Sequence, residues 1–141
     1  MRAVIQRAMG AQVQVDGQVT GAFEGPGLVV LLGVTHGDGE EQAQRMARKI
    51  AELKLLRGEL GVEEAAAPVL LVSQFTLYAD TKKGRRPSWS HAAPGPVAAP
   101  WVDRVGELLE DRGLRVERGV FGADMQLSLV NDGPVTLIVE A

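Results

Sequence analysis

Leu28-Val29-Val30-Leu31-Leu32-Gly33-Val34 restricts the fold more than any other stretch, being a continuous run with no charge and no hydrogen-bonding side chain. It is too short to span a membrane and fits a strand buried on both faces, which belongs in the middle of a sheet. Val69-Leu70-Leu71-Val72 reads the same way. Ala11–Val15 and Gln18–Phe23 alternate on either side of Asp16-Gly17, a dipeptide tolerant of positive φ, and predict a hairpin. Gly25-Pro26-Gly27 is expected to break the chain between that hairpin and the apolar run. Near the C-terminus, Met125–Val130 and Val135–Glu140 read as two strands joined by an Asn131-Asp132-Gly133-Pro134 turn, after a short strand at Leu114–Glu117.

The period changes between Glu40 and about Leu56, where Ala43, Met46, Ala47, Ile50 and Leu53 recur at three and four residues with charges between them. That spacing predicts an amphipathic helix, with Asp38 as its N-cap. A second helix is expected from about Pro96 to Arg112 through Trp101, Val102, Val105, Leu108 and Leu109, with Gly113 as its left-handed C-cap. Arg57 to Pro68 is expected to hold a short strand and a loop. The element order predicts one domain, residues 1–141, of α/β (α+β) class: a mostly antiparallel or mixed sheet, or a barrel-like sheet, packed with two main helices.

The 141 residues suffice for one hydrophobic core. No segment reaches the roughly 18 apolar residues of a membrane helix, and Met1–Arg7 alternates like a strand instead of a signal peptide, so a cytoplasmic protein is expected. The net charge of −3 argues against a general nucleic-acid coat, DNA included. One local exception stands out: Lys82, Lys83, Arg85 and Arg86 cluster directly after Ser73-Gln74-Phe75-Thr76-Leu77. By composition this is either a solvated loop or an anion-binding patch.

Familiar catalytic constellations are missing. Without cysteine, and with only His36 and His91, there is no zinc spacing and no Cys nucleophile. No Gly-x-Ser-x-Gly elbow occurs, and neither histidine is tied by sequence to a hydroxyl. Neither metal nor cofactor is expected. What remains is main-chain chemistry: the Ser73 string leaves a buried strand for a loop, where N–H groups fall free of the ladder and can hold an oxyanion. Read from the pentapeptide alone, the better reading is that Phe75 and Leu77 are core residues and Ser73 and Thr76 strand hydroxyls.

Ser73-Gln74-Phe75-Thr76-Leu77 and Asn131-Asp132-Gly133-Pro134-Val135-Thr136, with Phe121-Gly122-Ala123-Asp124-Met125 and Lys83-Gly84-Arg85-Arg86-Pro87-Ser88, resemble the signature strings of the D-aminoacyl-tRNA deacylases. The likeness runs from Met1 to Ala141, although Arg57–Pro68 is shorter than in many members. It implies hydrolysis of the ester joining a D-amino acid, or misattached glycine, to the 3′ end of tRNA. The backbone N–H groups of Gln74, Phe75 and Thr76 would surround the ester carbonyl, with Ser73 alongside and the Thr76 hydroxyl near the reacting carbon.

The resemblance further implies a homodimer with active sites at the subunit interface. A cis Gly133-Pro134 would reach into the partner's site and exclude L side chains, held by Asn131 and Thr136 with Arg7 as a further brace. Phe121 and Met125 would contact the terminal adenosine, and Lys82, Arg85 and Arg86 the acceptor-end phosphates. On their residues alone, Phe121 and Met125 also fit core positions bounding a strand. Competing readings are an editing domain for a mischarged L-amino acid, a nucleic-acid-binding module without hydrolysis, and a small-molecule esterase.

Overall fold

In the computed structural model, which describes residues 1–141, β1 (Arg2–Val15) and β2 (Gln18–Gly33) form a long antiparallel hairpin. Asp16 and Gly17 turn the corner with φ of 50° and 76°, the left-handed pair that a two-residue turn needs. Gly25-Pro26-Gly27 lies inside β2 and does not break it. Met9 pairs with Pro26 and Ala11 with Phe23, so the hairpin carries an irregularity there and the strand bends without leaving the sheet.

β3 (Val69–Ser73) runs parallel to β2, with Leu28 opposite Val69 and Leu32 opposite Ser73, and β4 (Val116–Arg118) runs parallel to β3. β5 (Gln126–Glu140) pairs antiparallel with the far side of β1. The order β4-β3-β2-β1-β5 leaves β4 and β5 as outer edges, so the sheet is mixed and open, not barrel-like. The apolar run of β2 takes the central place its composition requires.

β5 is one strand where two were expected. Gln6 pairs with Thr136 and Ala8 with Asn131, so Arg7 of β1 alone faces the whole stretch Asp132–Val135. The chain bulges out and rejoins the same neighbour. Asn, Asp and Gly tolerate the unusual dihedrals, and Pro the missing ladder bond, that either a hairpin or a wide bulge uses.

α1 (Glu40–Glu52) and α3 (Gly95–Asp111) cover one face of the sheet. Ala43, Met46, Ala47 and Ile50 of α1 meet Val102, Val105 and Leu109 of α3 over Leu28, Val30 and Leu32. Each fully buried Leu or Ile there contributes about 1.5–3 kcal/mol by area. A fork from Arg104 onto Glu40, at 2.8 to 3.2 Å, clamps the two helices and holds the Glu40 carboxyl down at about 2. α1 stops at Glu52, short of the expected Leu56. Its cap is Gly39, whose N–H donates to Gln42 Oε1 at 2.9 Å. Asp38 is engaged elsewhere, by the Met1 ammonium and the Thr35 N–H, each at 2.8 Å. At the end of α3, Gly113 N–H donates to Glu110 O and Leu114 N–H to Leu109 O, which closes the helix around a left-handed glycine.

Between α1 and β3 the expected strand is instead a helical turn, α2 (Val62–Ala65), whose Glu-Glu-Ala composition favours helix. The other sheet face has only a small cluster around Val13, Phe23, Val29, Leu70 and Val72, with Met125, Leu127 and Leu129 half-buried on it. No helix belongs to that cluster, and beside it Met9 and Val130 stand exposed. No helix of the protein is long and apolar enough to cross a membrane.

Candidate active site

β2 and β3 run parallel and end side by side at Gly33 and Ser73, and such strand ends are where open α/β sheets gather ligands. Beyond Ser73 the chain folds into a 3₁₀ turn, Phe75–Tyr78. Gly33 permits the close approach, because a Cβ there would lie 2.9 Å from Gln74 O and 3.2 Å from Leu77 Cβ. The Gln74 N–H, expected at the ester carbonyl, instead donates to Leu32 O at 2.8 Å, since the β2 ladder runs one residue further than the strand pattern suggests. Leu77 N–H then closes onto Gln74 O at 3.2 Å. Phe75 and Thr76 occupy the first two positions of the turn, where an N–H has no helical acceptor.

Ser73, Gln74, Phe75 and Phe121 line a cleft of about 50 Å³ together with Leu32, Val34, Ala98, Val102 and Gly122. That volume takes a carbonyl-sized group or a few waters, not a nucleoside. Phe121 is half-exposed at the cleft, and the Phe75 ring meets Trp89 edge-on with centroids 5.3 Å apart. Trp89 leaves no trace in the sequence pattern because nothing local ties it to Phe75. Met125 does not join Phe121; its side chain packs on the uncovered sheet face with Leu127 and Leu129.

The Gln74 amide Nε2 donates to the Thr76 hydroxyl. An amide cannot take a proton from that hydroxyl, and no carboxylate or imidazole bonds to it. His91 faces Asp80 at 3.7 Å and His36 Nε2 lies 2.9 Å from the Ser90 carbonyl. Burial, reinforced by Asp38 and Glu140 against Arg2, pushes the Tyr78 hydroxyl up to about 12, so it stays protonated at working pH. The turn is tied down from outside by Arg2, which donates to Leu77 O at 2.8 Å and lies over the Tyr78 ring.

The basic stretch follows as a closed loop. Asp80 and Ser88 exchange main-chain bonds of 2.8 and 2.9 Å, and the Asp80 carboxylate accepts from Lys82 N–H, which holds its carboxyl below the usual range. Lys82, Lys83, Arg85 and Arg86 ride on this loop, exposed and in no ion pair.

The second string lies elsewhere on the chain. The Gly133–Pro134 peptide bond is cis. Arg7 donates to Asp132 O at 2.8 Å, to Gly133 O at 3.3 Å and to Leu55 O at 3.4 Å. Asn131 Nδ2 spans the neck of the bulge, reaching Arg7 O at 3.0 Å and Val135 O at 3.1 Å, and Thr136 Oγ1 accepts from Gln6 at 3.3 Å. Arg57, which no sequence motif marks, grips the Asp132 carboxylate at 2.7 and 3.0 Å. Grooves of about 550 and 380 Å³ flank the bulge, and neither takes a residue from Ser73–Thr76. A single chain therefore keeps the two strings apart.

The family model for D-Tyr-tRNA(Tyr) deacylase matches residues 4–140. The chain belongs to the D-aminoacyl-tRNA deacylase family. Its relatives include the D-aminoacyl-tRNA deacylases of Kineococcus radiotolerans and Beutenbergia cavernae, 61% and 60% identical over 141 residues that cover all of this chain and all of theirs. Among solved structures, the c-Myc DNA Unwinding Element Binding Protein superposes with a TM-score of 0.91 at 35% identity, covering 100% of this chain and 99% of that one. A probable eukaryotic D-amino acid tRNA deacylase shares the fold with a TM-score of 0.87 at 17% identity, covering 99% of this chain and 98% of its own.

Proposed function

We propose that the protein hydrolyses the ester bond of D-aminoacyl-tRNA, and of glycine misattached to tRNA, with main-chain amides as its principal catalysts. The observation that carries this reading is the pair of Phe75 and Thr76 N–H groups that open the turn after Ser73, with Phe75 lining a small cleft, beside a hydroxyl with no base. Water attacks the ester carbonyl, and the oxygen that becomes negative is received by the two amides. The ribose 2′-OH of the terminal adenosine orients the water, and the departing 3′-oxygen leaves with the proton. An aminoacyl ester is already activated, so polarisation and placement suffice. One well-aimed oxyanion donor is worth about 3–4 kcal/mol of barrier.

The active unit in this reading is a homodimer. Three features support it: the sheet face without a helix, a cleft too small for the substrate, and the remoteness of Gly133-Pro134 from Ser73–Thr76. A partner's bulge closes over the cleft, and its carbonyls fill the space an L side chain needs, a rejection by steric clash with rigid backbone. Phe121 stacks near the terminal adenine, Met125 supports the face that meets the partner, and Lys82, Lys83, Arg85 and Arg86 receive the acceptor-end phosphates.

Deacylation of matched D- and L-tyrosyl-tRNA at catalytic enzyme levels tests the reading. D-ester turnover with the L-ester spared is expected. Binding without turnover makes the chain a nucleic-acid-binding module; equal consumption of both esters removes the chiral filter; and simple D-amino acid esters cleaved as fast as the tRNA substrate make it a general esterase.

A further inference from the structure

Asp132 immediately precedes Gly133, and its carboxylate is largely enclosed although the bulge it belongs to projects from the sheet. Two arginines meet on it from different directions. Arg7 lies beneath the bulge on β1: its Nε divides between the Asp132 carbonyl at 2.8 Å and the Asp132 carboxylate at 3.2 Å, while another arm reaches Gly133 O at 3.3 Å, a longer contact than that to Asp132 O. Arg57 comes from the segment after α1 and takes the carboxylate with Nε on one oxygen at 3.0 Å and Nη2 on the other at 2.7 Å. This is the fork-on-carboxylate pairing that fixes direction as well as distance.

The geometry has a consequence for Arg7. A carboxylate without Arg57 would hold the nearest cation more tightly, and that cation is Arg7. Its guanidinium would turn toward the side chain of Asp132 and away from the main-chain oxygen of Gly133. Arg57 holds the two carboxylate oxygens at 2.7 and 3.0 Å, closer than the 3.2 Å approach of Arg7, whose hydrogen bonds go to the carbonyls. Arg7 also bonds Leu55 O at 3.4 Å, so the segment that delivers Arg57 and the bulge that receives it share one guanidinium.

We propose that Arg57 is a positioning residue for stereochemical selection: it occupies the Asp132 carboxylate so that Arg7 stays on the Gly133 carbonyl and fixes where that oxygen points. The inference rests on the proposed role of Gly133-Pro134 as the L-excluding wedge. Arg57 is itself mostly solvent-exposed, so its removal leaves no hole in the core.

The test measures deacylation of D- and L-tyrosyl-tRNA by the dimeric enzyme and reads the ratio of their kcat/KM values. Variants Arg57→Ala, Asp132→Asn, the two combined, and Gly133→Ala are compared with the parent. With Arg57→Ala the D/L ratio is expected to fall about tenfold, the scale of removing one charged hydrogen-bond pair. Adding Asp132→Asn to Arg57→Ala is expected to recover most of the lost ratio, because the neutral amide no longer draws Arg7 away from the Gly133 carbonyl. An unchanged ratio in Arg57→Ala, or a double variant no more selective than Arg57→Ala alone, overturns the proposal.

Gly133→Ala separates this failure from failure of the wedge itself. A Cβ at Gly133 would meet only Asn131 Oδ1, at 3.6 Å, so the chain tolerates the methyl and the partner's cleft must accommodate it. If Gly133→Ala shifts the ratio and Arg57→Ala does not, the wedge stands and the role of Arg57 falls. If neither shifts it, the wedge is wrong.

Discussion

At the end of β3 the turn Phe75–Tyr78 is held mainly by main-chain bonds to β2 and to its own neighbours, with Arg2 adding one bond to Leu77 O, whereas the Asp132–Pro134 bulge is gripped by two arginine side chains 125 and 75 positions away in sequence. The first region needs few particular side chains to keep its shape: a glycine at 33, where the turn presses on β2, a hydroxyl and an amide that bond each other at 76 and 74, and Arg2 on the Leu77 carbonyl. The second depends on charge placed from outside. The amides proposed to polarise the ester can therefore survive many substitutions around them, while the element proposed for stereochemistry hangs on two guanidinium groups. Rate and selectivity should then fail separately.

Removing Arg7 is the strongest way to break that separation. Arg7→Ala deletes three charged hydrogen bonds to carbonyls and leaves the Gly133 oxygen unsupported. The D/L ratio is expected to fall about a hundredfold, and unfolding stability by about 2–3 kcal/mol, which for a chain of this size is a Tm loss of roughly 6–10 °C. Thermal melting together with paired D and L assays checks both. A loss of D turnover with the ratio preserved would place Arg7 in general folding and erase the contrast between the regions.

Thr76→Ala probes the other side. With Phe75 and Thr76 N–H intact, deletion of the hydroxyl is expected to lower kcat about tenfold, the scale of one positioning hydrogen bond, and to leave the D/L ratio alone. Single-turnover kinetics and mass spectrometry of the quenched enzyme provide the check. Complete loss of activity, or an acyl group trapped on Thr76 in the parent, would make the hydroxyl a nucleophile and end the amide-based account.

Charge on the loop after the turn should touch neither property. Replacing Arg85 and Arg86 by alanine removes two exposed, unpaired cations from a loop that Asp80 and Ser88 keep closed. Binding of tRNA is expected to weaken, and the slope of log K against log salt to drop by about 1.4, near 0.7 for each single-strand phosphate that loses its cation. The ratio and kcat should stay within about twofold. An unchanged salt slope would take both arginines out of the tRNA interface.

The same contrast explains what is legible in the sequence. Leu28–Val34 reads as a central strand, the 43/46/47/50 spacing as a helix face and Gly113 as a helix stop, because each signal lies within a few residues of the structure it specifies. The turn after Ser73 is visible for that reason, except that the last ladder bond takes Gln74 N–H, which depends on where Gly33 lies in β2. The bulge looks like a hairpin loop in sequence because Asn-Asp-Gly-Pro has the same local chemistry in both, and only pairing with distant β1 decides. Arg57 leaves no sign, since a cation in a loop looks solvated until its carboxylate, 75 residues on, is brought beside it. Met125 is ambiguous by nature: a thioether suits a base face or an apolar sheet, and here the sheet holds it.

The smallest expected effect concerns pH, and it sharpens the comparison by asking what the bulge does not use. The Asp132 carboxyl lies below its ordinary value of 3.8, first through the Arg57 hydrogen bonds and then through the charges of Arg57 and Arg7. A depressed carboxyl contributes to the native arrangement above its unfolded value and loses that contribution only as pH falls through the lower folded one. Between pH 7 and pH 5 the carboxylate and both guanidinium groups keep their charge, so the lock is complete throughout. The D/L ratio measured at pH 7 and pH 5 is expected to agree within about twofold, a change too small to reflect loss of a charged pair. A ratio that collapses toward pH 5 would show that the arginine-held carboxylate is not what sets selectivity, since its lock is intact across that interval.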